Sequence, residues 1–387
     1  MRQLIYNIIA VLAVVITISG CKSESEQHRD NDPGDKDLSD SCIMKSSIKY
    51  AKGFDLAEYD DYQRLTIFNP WVEDGIQQRF YLVTDASVIT PSDGKRLLVP
   101  IGSVAISSCT HTEFLDMLGC IEKVNAMCSP ELIYNATLRQ RHAEGKIVSI
   151  GDAFNVNHEL LLSCRPDAFL VASYSNQNDN TDRLIKSGIN VVYNNEWTET
   201  TLLARAEWLK MMGALFGKTA EADSLFSVIE SNYMEASIIA RQVVEKPAIM
   251  AGGNFKGTWY MPGGQSWMGR LIADAGGDYY YANDSTSTSL PLNFESVLNN
   301  FNDCEVWINA PTATIRELLQ IDSRHNLFAP LKNGRVYSFY AKTKPRGAND
   351  FWESAVAHPD IVLKDMIWAL HPTLLPDYNP QYIMHLQ

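Results

Sequence analysis

The spacing of apolar and polar residues changes several times along the chain. An apolar run occupies 4–18, and the stretch 22–41 that follows is rich in Ser, Asp, Glu and Gly with almost no large apolar side chain. Such a stretch buries too little surface to offset the entropy lost on ordering. We therefore predict a flexible linker, which we place over residues 21–60.

Short apolar segments begin after this linker. Residues 64–83 alternate apolar and polar positions around Asn69-Pro70, which predicts a hairpin. From about Arg96, apolar runs alternate with segments of helical period, a pattern typical of parallel α/β units. We therefore predict an N-terminal α/β lobe over 61–200, which begins with the hairpin. The strands predicted in this region are 97–99, 104–107, 169–172 and 191–193.

A longer helical pattern occupies 199–245. In its second part, apolar residues recur every three or four positions from Ala222 to Val243, which gives one continuous apolar stripe. Gly217 indicates a break before the stripe. The uninterrupted piece from Thr219 would measure about 40 Å at the helical rise of roughly 1.5 Å per residue. A helix of that length can bridge two lobes.

Short strands and helical segments then resume. A helix near 267–275 ends at Gly276-Gly277, where glycine can supply the left-handed cap. We predict a bridging helix region over 201–245 and a C-terminal α/β lobe over 246–387. The predicted fold class is α/β, with two Rossmann-like lobes joined by a single long helix.

The two predicted lobes contain similar helix starts. Asn157-His158-Glu159 begins a helix in the first lobe, and Asn293-Phe294-Glu295 begins one in the second. Asparagine is a favoured N-cap, and the helix dipole favours a carboxylate in the first turn. Capped helices with an early acid are common, so the match gains weight because it occurs once on each side of the long helix.

The N-terminus has the arrangement of a secretory signal peptide, with Arg2 before the apolar run and Ser19-Gly20 before Cys21. The apolar run is short for a transmembrane helix. The segment resembles the lipobox of bacterial lipoproteins, which implies cleavage after residue 20 and lipidation of Cys21. An ordinary signal peptide with an incidental cysteine is the alternative.

Net charge bears on the kind of partner, and cysteine content bears on disulfide and metal chemistry. The net charge is -13, and removal of residues 1–20 takes away Arg2 and leaves -14. This balance disfavours nucleic acid or an anionic membrane surface as a partner. There is no CxxC motif, which disfavours a cysteine zinc site, and the cysteines do not cluster as in a small disulfide scaffold. We expect mostly buried thiols, with one disulfide as an alternative. Beyond Cys21 the cysteines are Cys42, Cys109, Cys120, Cys128, Cys164 and Cys304.

Several features follow one another in a fixed order along about residues 95–375. After the lipobox come the helix that opens with Thr112-Glu113, Asn157-His158-Glu159 leading to Arg165-Pro166-Asp167, the long helix, and the ending with His371-Pro372. In this order the chain resembles the class III solute-binding proteins of ABC importers, which take up cobalamin, ferric siderophores and haem. The resemblance implies a non-enzymatic, monomeric binding subunit in the periplasm, held by its lipid alone, with the inner membrane favoured over the outer.

The resemblance also implies partners and a guest. In the cobalamin-binding members, one glutamate on each lobe docks onto arginines of the permease, and the matching positions here are Glu159 and Glu295. The expected partners are an ABC permease and its ATPase. No intrinsic cofactor is expected, and the guest is a ferric siderophore, haem or cobalamin. Ser173-Tyr174 and residues 289–291 replace aromatic residues of the cobalamin binders, which leaves the guest open.

Ligands of open α/β units bind beyond the carboxyl ends of the strands. Aromatic residues are frequent there and suit a planar or macrocyclic guest, although a core role is an equal alternative for most of them. Ligand binding is favoured for Trp259-Tyr260, because the glycines of 252–264 leave these side chains little to pack against. His111 is a candidate haem-iron ligand, or a hydrogen-bonding residue near a helix start. Arg346 is a candidate partner for an anionic group, or an exposed loop residue. The predicted ligand-binding residues are His111, Thr112, Phe154, Tyr174, Trp197, Trp259, Tyr260 and Arg346.

Other functions fit the sequence less well. A zinc or manganese importer subunit needs convergent ligands, and the histidines show no such spacing. An exported hydrolase remains an alternative, although Gly-x-Ser-x-Gly and HExxH motifs are absent from the sequence. A surface glycan-binding lipoprotein would also favour exposed aromatic residues, but it would not require the paired glutamates or the bridging helix.

Overall fold

The computed structural model describes residues 47–176 and 179–387. The predicted signal peptide and the predicted lipidation site Cys21 lie outside these ranges. Within them, no helix is both long and apolar enough to span a bilayer.

The first four strands form a sheet of their own, here called the leading sheet. Its strands are β1 (Phe54–Glu58), β2 (Gln63–Phe68), β3 (Ile76–Val83) and β4 (Lys95–Leu98), in that spatial order. The predicted hairpin is confirmed, because β2 and β3 pair in antiparallel fashion. β4 pairs in parallel with β3. The prediction that strand 97–99 belongs to the α/β lobe was therefore wrong.

The N-terminal lobe is built on a five-stranded parallel sheet. Its strands are β5 (Val104–Ile106), β6 (Val124–Met127), β7 (Val148–Ser149), β10 (Ala168–Val171) and β11 (Val191–Tyr193), with a ribbon of β8 (Gly151–Asp152) and β9 (Asn155–Val156) beside them. The order β11-β10-β5-β6-β7 places the fully buried strands β5 and β10 in the middle, which explains their continuous apolar sequences. The helices are α1 (Thr110–Met117), α2 (Ala136–Ala143), α3 (His158–Cys164) and α4 (Asp179–Lys186).

Two helices connect the lobes, α5 (Leu202–Phe216) and α6 (Thr219–Arg241). The predicted break is confirmed at Gly217, which ends α5 in the left-handed conformation. Ala222 near the start of α6 lies in the hydrophobic core of the N-terminal lobe, whereas Ala240 near its end lies in that of the C-terminal lobe. The long helix α6 therefore spans both cores.

The C-terminal lobe combines a parallel and an antiparallel sheet. Its strands are β12 (Ala248–Ala251), β13 (Gly253–Phe255), β14 (Thr258–Pro262), β15 (Asp278–Tyr279), β16 (Ser289–Leu292), β17 (Val306–Ile308), β18 (Tyr337–Ser338) and β19 (Met384–His385). The parallel sheet has the order β15-β12-β17, and the antiparallel one has the order β13-β14-β16. The helices are α7 (Trp267–Asp274), α8 (Phe294–Phe301), α9 (Ile315–Ile321), α10 (Ala329–Lys332), α11 (Asp350–Glu353) and α12 (Pro359–Leu370).

The segment before β1 is bound to the body of the protein. The buried carboxylate of Glu207 accepts hydrogen bonds from the backbone N–H groups of residues 49–51, and that of Glu199 accepts them from residues 52 and 53. The predicted flexible linker over 21–60 was therefore wrong for residues 47–60. The cause is a pair of distant carboxylates that satisfy the backbone of a segment with few apolar side chains.

Candidate ligand-binding cleft

A cavity of about 800 Å³ lies between the two lobes. Its walls come from the leading sheet, from the end of the N-terminal lobe near Trp197, and from loops of the C-terminal lobe. Seven aromatic side chains line it, and these are Trp71, Trp197, Phe255, Tyr260, Trp267, Tyr340 and Trp352. Aromatic faces at this density suit a guest with a flat, conjugated surface.

The cleft has little formal charge. Among the described residues that line it, Glu199 is the only Asp, Glu, Lys, Arg or His. Burial raises the pKa of Glu199, and the hydrogen bond from the Gly53 N–H partly opposes this effect. Arg205 lies behind Trp267, 5.4 Å from its ring centroid, and its charge is paired with Glu196 at 2.8 Å. The cleft therefore offers rings, hydroxyls and amides rather than ion-pairing groups.

Three predicted residues of the N-terminal lobe come together beside the cleft. The ring centroids of Phe154 and Tyr174 are 5.1 Å apart, and those of Tyr174 and Trp197 are 5.6 Å apart. All three side chains are exposed, and Trp197 is fixed by an indole N–H that donates to the Ser173 carbonyl at 3.1 Å. The row thus leads from the surface to the cleft, where Trp197 is a lining residue.

The two predicted residues of β14 have opposite environments. Tyr260 is 46% exposed and lines the cleft, whereas Trp259 is 1% exposed. The Trp259 indole donates to the Ala251 carbonyl at 2.9 Å, and its ring centroid is 5.3 Å from that of Trp307. The prediction of Trp259 as a ligand-binding residue was wrong, because successive side chains of a strand point to opposite faces and this one points into the core.

His111 and Thr112 do not reach the cleft. Both are fully buried in the first turn of α1. In the described part of the chain, neither His111 ring nitrogen nor the Thr112 hydroxyl has a hydrogen-bond partner. Burial lowers the pKa of His111 to about 3, so its imidazole is neutral. Their prediction as ligand-binding residues, and that of His111 as an iron ligand, was wrong because both side chains are enclosed in the protein interior.

Arg346 is an exposed residue of a short turn, Pro345–Gly347, and is not part of the cleft wall. Its backbone is left-handed, with φ of 72°. Its role in ligand binding therefore stays a prediction. The turn instead approaches the N-terminal lobe, where the Lys344 ammonium lies 4.4 Å from the Tyr134 ring centroid.

Several cleft residues were missed by sequence reasoning. Trp71 belongs to the turn of the leading hairpin, and Trp267 and Trp352 belong to the starts of short helices. Tyr340 follows β18, a strand too short to stand out in the sequence. The rule that ligands bind beyond strand ends could have found Tyr340, but no local signal marks Trp71.

The lobes are tied together beside the cleft at α11. The buried Glu353 carboxylate of the C-terminal lobe accepts hydrogen bonds from the backbone N–H groups of Tyr134 and Asn135, at 2.6 and 2.8 Å. Burial raises the pKa of Glu353 to about 7. Nearby, His358 and Glu113 approach within 2.7 Å across the same boundary.

The two predicted docking glutamates lie at equivalent helix starts. The side chain of Asn157 accepts a hydrogen bond from the Leu160 N–H in α3, and that of Asn293 accepts one from the Ser296 N–H in α8. Glu159 and Glu295 are both exposed in the first turns of these helices. The predicted caps are therefore confirmed.

Cysteine and metal chemistry is limited in the described residues. The thiols at 109, 120, 128, 164 and 304 are free. Over 47–176 and 179–387, no group of three or more His, Cys, Asp or Glu side chains is arranged to hold a metal ion.

Two α/β lobes joined by a long helix, with a cleft between them, define a class III solute-binding protein. The chain belongs to the periplasmic binding protein family, whose model matches residues 104–342. It is 24% and 23% identical to two uncharacterized lipoproteins of Methanocaldococcus jannaschii, over 94% and 97% of this chain and 92% and 96% of theirs.

Solved structures share the fold. A possible iron-binding periplasmic solute-binding protein of Staphylococcus epidermidis gives a TM-score of 0.54 at 15% identity, over 70% of this chain and 100% of that one. A periplasmic heme-binding protein of Pseudomonas aeruginosa gives 0.54 at 14%, over 70% and 94%. A periplasmic vitamin B12 binding protein of Vibrio cholerae gives 0.52 at 12%, over 70% and 97%.

Proposed function

We propose that this protein is the ligand-binding subunit of an ABC importer and that it captures a corrinoid or a similar flat macrocycle of low net charge. It would deliver the guest to an inner-membrane permease with its ATPase, while an acyl chain on Cys21 keeps it near that permease. Relatives described as lipoproteins support the anchor, and solved relatives described as binding iron, heme or vitamin B12 support the guest class.

The observation that carries this proposal is the composition of the cleft. Seven aromatic side chains line the cleft, and Glu199 is the only acidic or basic residue among the described residues that line it. A ferric catecholate siderophore would bring several negative charges into such a cleft without a cation to pair with them, which is costly. A corrinoid has a conjugated ring with uncharged amides at its edge. Ser287, Thr288 and Asn309 offer hydroxyl and amide partners for these groups.

The alternatives receive less support. A retaining or inverting glycosidase uses two carboxyl groups at the scissile bond. Glu199 has the only carboxyl group among the described residues lining this cleft. That carboxyl group accepts hydrogen bonds from the backbone of residues 52 and 53. Sugar rings also stack on aromatic side chains, so glycan binding is kept as an outcome of the test.

Isothermal titration with cyanocobalamin, haemin, a ferric hydroxamate, a ferric catecholate and a maltooligosaccharide tests the proposal. We expect cyanocobalamin to bind most tightly, haemin less tightly because of its propionates, and the catecholate most weakly. Tyr260→Ala should weaken the binding of cyanocobalamin. Tyr280→Ala is the matched control, because Tyr280 is an exposed tyrosine of the same lobe that does not line the cleft. Tightest binding of the catecholate, or binding of the sugar alone, would overturn the proposal.

A further inference from the structure

The leading sheet lies outside the region that the family model matches, which begins at residue 104. The aligned part of one Methanocaldococcus relative nevertheless covers 97% of this chain. About 3% of 387 residues is too little to contain residues 54–98, so most of the segment that forms the leading sheet falls within that alignment. The segment is therefore aligned together with the two lobes, although it lies outside the family model.

The leading hairpin is fixed to the edge of the N-terminal lobe. The Gln78 side chain donates to the Val191 carbonyl at 2.9 Å and accepts from the Tyr193 N–H at 3.0 Å. One amide thus satisfies two backbone groups of β11, as a neighbouring strand would do. The side-chain oxygen of Gln77 accepts a hydrogen bond from the buried Asn195 side chain at 2.8 Å. The hairpin therefore has a defined position relative to the N-terminal lobe.

The turn of this hairpin, residues 69–75, is held by hydrogen bonds. The Asn69 N–H donates to the Gly75 carbonyl at 2.7 Å, and the Asn69 side chain accepts from the Trp71 N–H at 2.9 Å. The same side chain donates to Asn176 of the N-terminal lobe at 2.8 Å. These bonds close the turn and tie it to the lobe, so the direction in which it presents Trp71 is specified.

The turn also rests on a residue of the cleft itself. The Phe68 N–H donates to the Gly53 carbonyl at 2.8 Å, and the Gly53 N–H donates to the Glu199 carboxylate at 2.9 Å. Glu199 lines the cleft. Gly53 leaves no space for a side chain, because a Cβ there would lie 2.6 Å from the Trp208 ring. The turn, the segment before β1 and the cleft are thus joined by consecutive contacts.

Pro70 and Trp71 of the turn are lining residues of the cleft. Trp71 is 37% exposed, and it lines the same space as Trp197 of the N-terminal lobe and Tyr260 of the C-terminal lobe. The cleft therefore has three contributors, one of which lies before the region matched by the family model.

We propose that the turn 69–75 is a third wall of the ligand site and that Trp71 contacts the bound guest through its ring face. This inference rests on the proposed function, and it specifies a guest with a flat conjugated surface that extends past the two lobes to the turn. Such a contact adds apolar burial and ring stacking to those made by Trp197 and Tyr260.

The test compares variants of Trp71 in the full chain. With cyanocobalamin as the probe, Trp71→Ala should raise the dissociation constant about tenfold, and Trp71→Phe about threefold because a smaller ring remains. Val72→Ala is the matched control, because Val72 is exposed in the same turn but does not line the cleft. Unchanged thermal unfolding of Trp71→Ala would show that the effect is not a loss of folding.

A second probe separates this inference from the proposed function. The aromatic dye 8-anilinonaphthalene-1-sulfonate should bind the cleft and lose affinity in both Trp71→Ala and Tyr260→Ala. If no macrocycle binds but the dye depends on both residues, the third wall stands and the proposed function fails. If cyanocobalamin binding depends on Tyr260 but not on Trp71, the third wall is overturned and the proposed function stands. If neither probe binds, both are overturned.

Discussion

The two lobes present aromatic side chains to the cleft in different ways. In the N-terminal lobe, Trp197 follows the parallel strand β11 in a turn, and it is 38% exposed beside Tyr174. In the C-terminal lobe, Trp259 lies in the antiparallel strand β14 and is buried, while its neighbour Tyr260 faces the cleft. Turns can display successive side chains together, whereas a strand divides neighbours between two faces.

Buried indoles stabilise the cleft side of the C-terminal lobe. The Trp259 indole donates to the Ala251 carbonyl, and the Trp307 indole donates to the Gly252 carbonyl, both at 2.9 Å. These carbonyls lie at and just after the carboxyl end of β12, where the parallel ladder leaves backbone groups without partners. The same region of the N-terminal lobe keeps its aromatic residues at the surface. The N-terminal lobe therefore contributes Trp197 from a turn, whereas in the C-terminal lobe the buried indoles support a strand from which Tyr260 faces the cleft.

The largest expected effect is the loss of stability when the buried Trp259 is replaced, compared with the loss when the partly exposed Trp197 is replaced. Trp259→Ala removes a buried ring and leaves a cavity, so the free energy of unfolding should fall by about 3–5 kcal/mol. Trp197→Ala removes a partly exposed ring and should cost less than about 1 kcal/mol. Urea unfolding followed by circular dichroism measures both. Equal losses in the two variants would contradict the assignment of one ring to the core and the other to the cleft.

The next largest effect is a pH dependence of stability that arises from Glu353, at the boundary between the lobes. Burial raises the pKa of this carboxyl to about 7 from an ordinary 4.5. Between these values the folded protein keeps a proton that the unfolded chain has lost, so this group's contribution to the free energy of unfolding falls as the pH rises through that window. The fall is at most about 3 kcal/mol.

The Glu353→Gln variant lacks this titration. Its free energy of unfolding relative to wild type should therefore increase between a pH below 4.5 and a pH above 7, as measured by urea unfolding at both. Glu131→Gln is the control, because Glu131 is an exposed residue close to the Tyr134 side of the same contact. Parallel pH profiles of wild type and Glu353→Gln would show that the carboxyl does not titrate in this window.

Local patterns were sufficient for the framework of the fold. Some elements depend on residues that are close together in sequence, and all of these are present in the structure. They are the apolar runs of β5 and β10, the stripe on α6 and the break at Gly217. The path of residues 47–53 could not be predicted in this way. It depends on Glu199 and Glu207, which lie about 150 residues away in sequence and bind the backbone rather than side chains.

The site was less predictable than the fold for a related reason. Strand ends indicated Trp197 and Tyr260, which line the cleft. The same reasoning chose Trp259 and His111, because sequence alone does not say which face of a strand or helix turns inward. Trp71 was missed because its place depends on how the leading sheet docks against the N-terminal lobe.

The smallest effect concerns the proposed permease contacts, where the lobes also differ. Glu295 forms an ion pair with Arg324 at 3.3 Å, and Arg324 in turn binds Asp322 at 2.7 Å. Glu159 is exposed at the equivalent position of the N-terminal lobe. If both carboxylates dock onto a basic permease, Glu159→Lys and Glu295→Lys should each lower transport about tenfold while the dissociation constant of the guest is unchanged.

Transport assays with the reconstituted importer, together with titration of the guest, measure these two quantities. Glu317→Lys is the control, because Glu317 is an exposed first-turn glutamate of α9 outside the predicted docking pair. Arg324→Ala should change transport by less than about twofold, since an exposed ion pair contributes little. A loss in Arg324→Ala as large as that in Glu295→Lys would show that the C-terminal lobe docks through the whole cluster. Unchanged transport in both glutamate reversals would rule out the docking proposal, because a contact that sets register cannot tolerate reversed charge at its two ends.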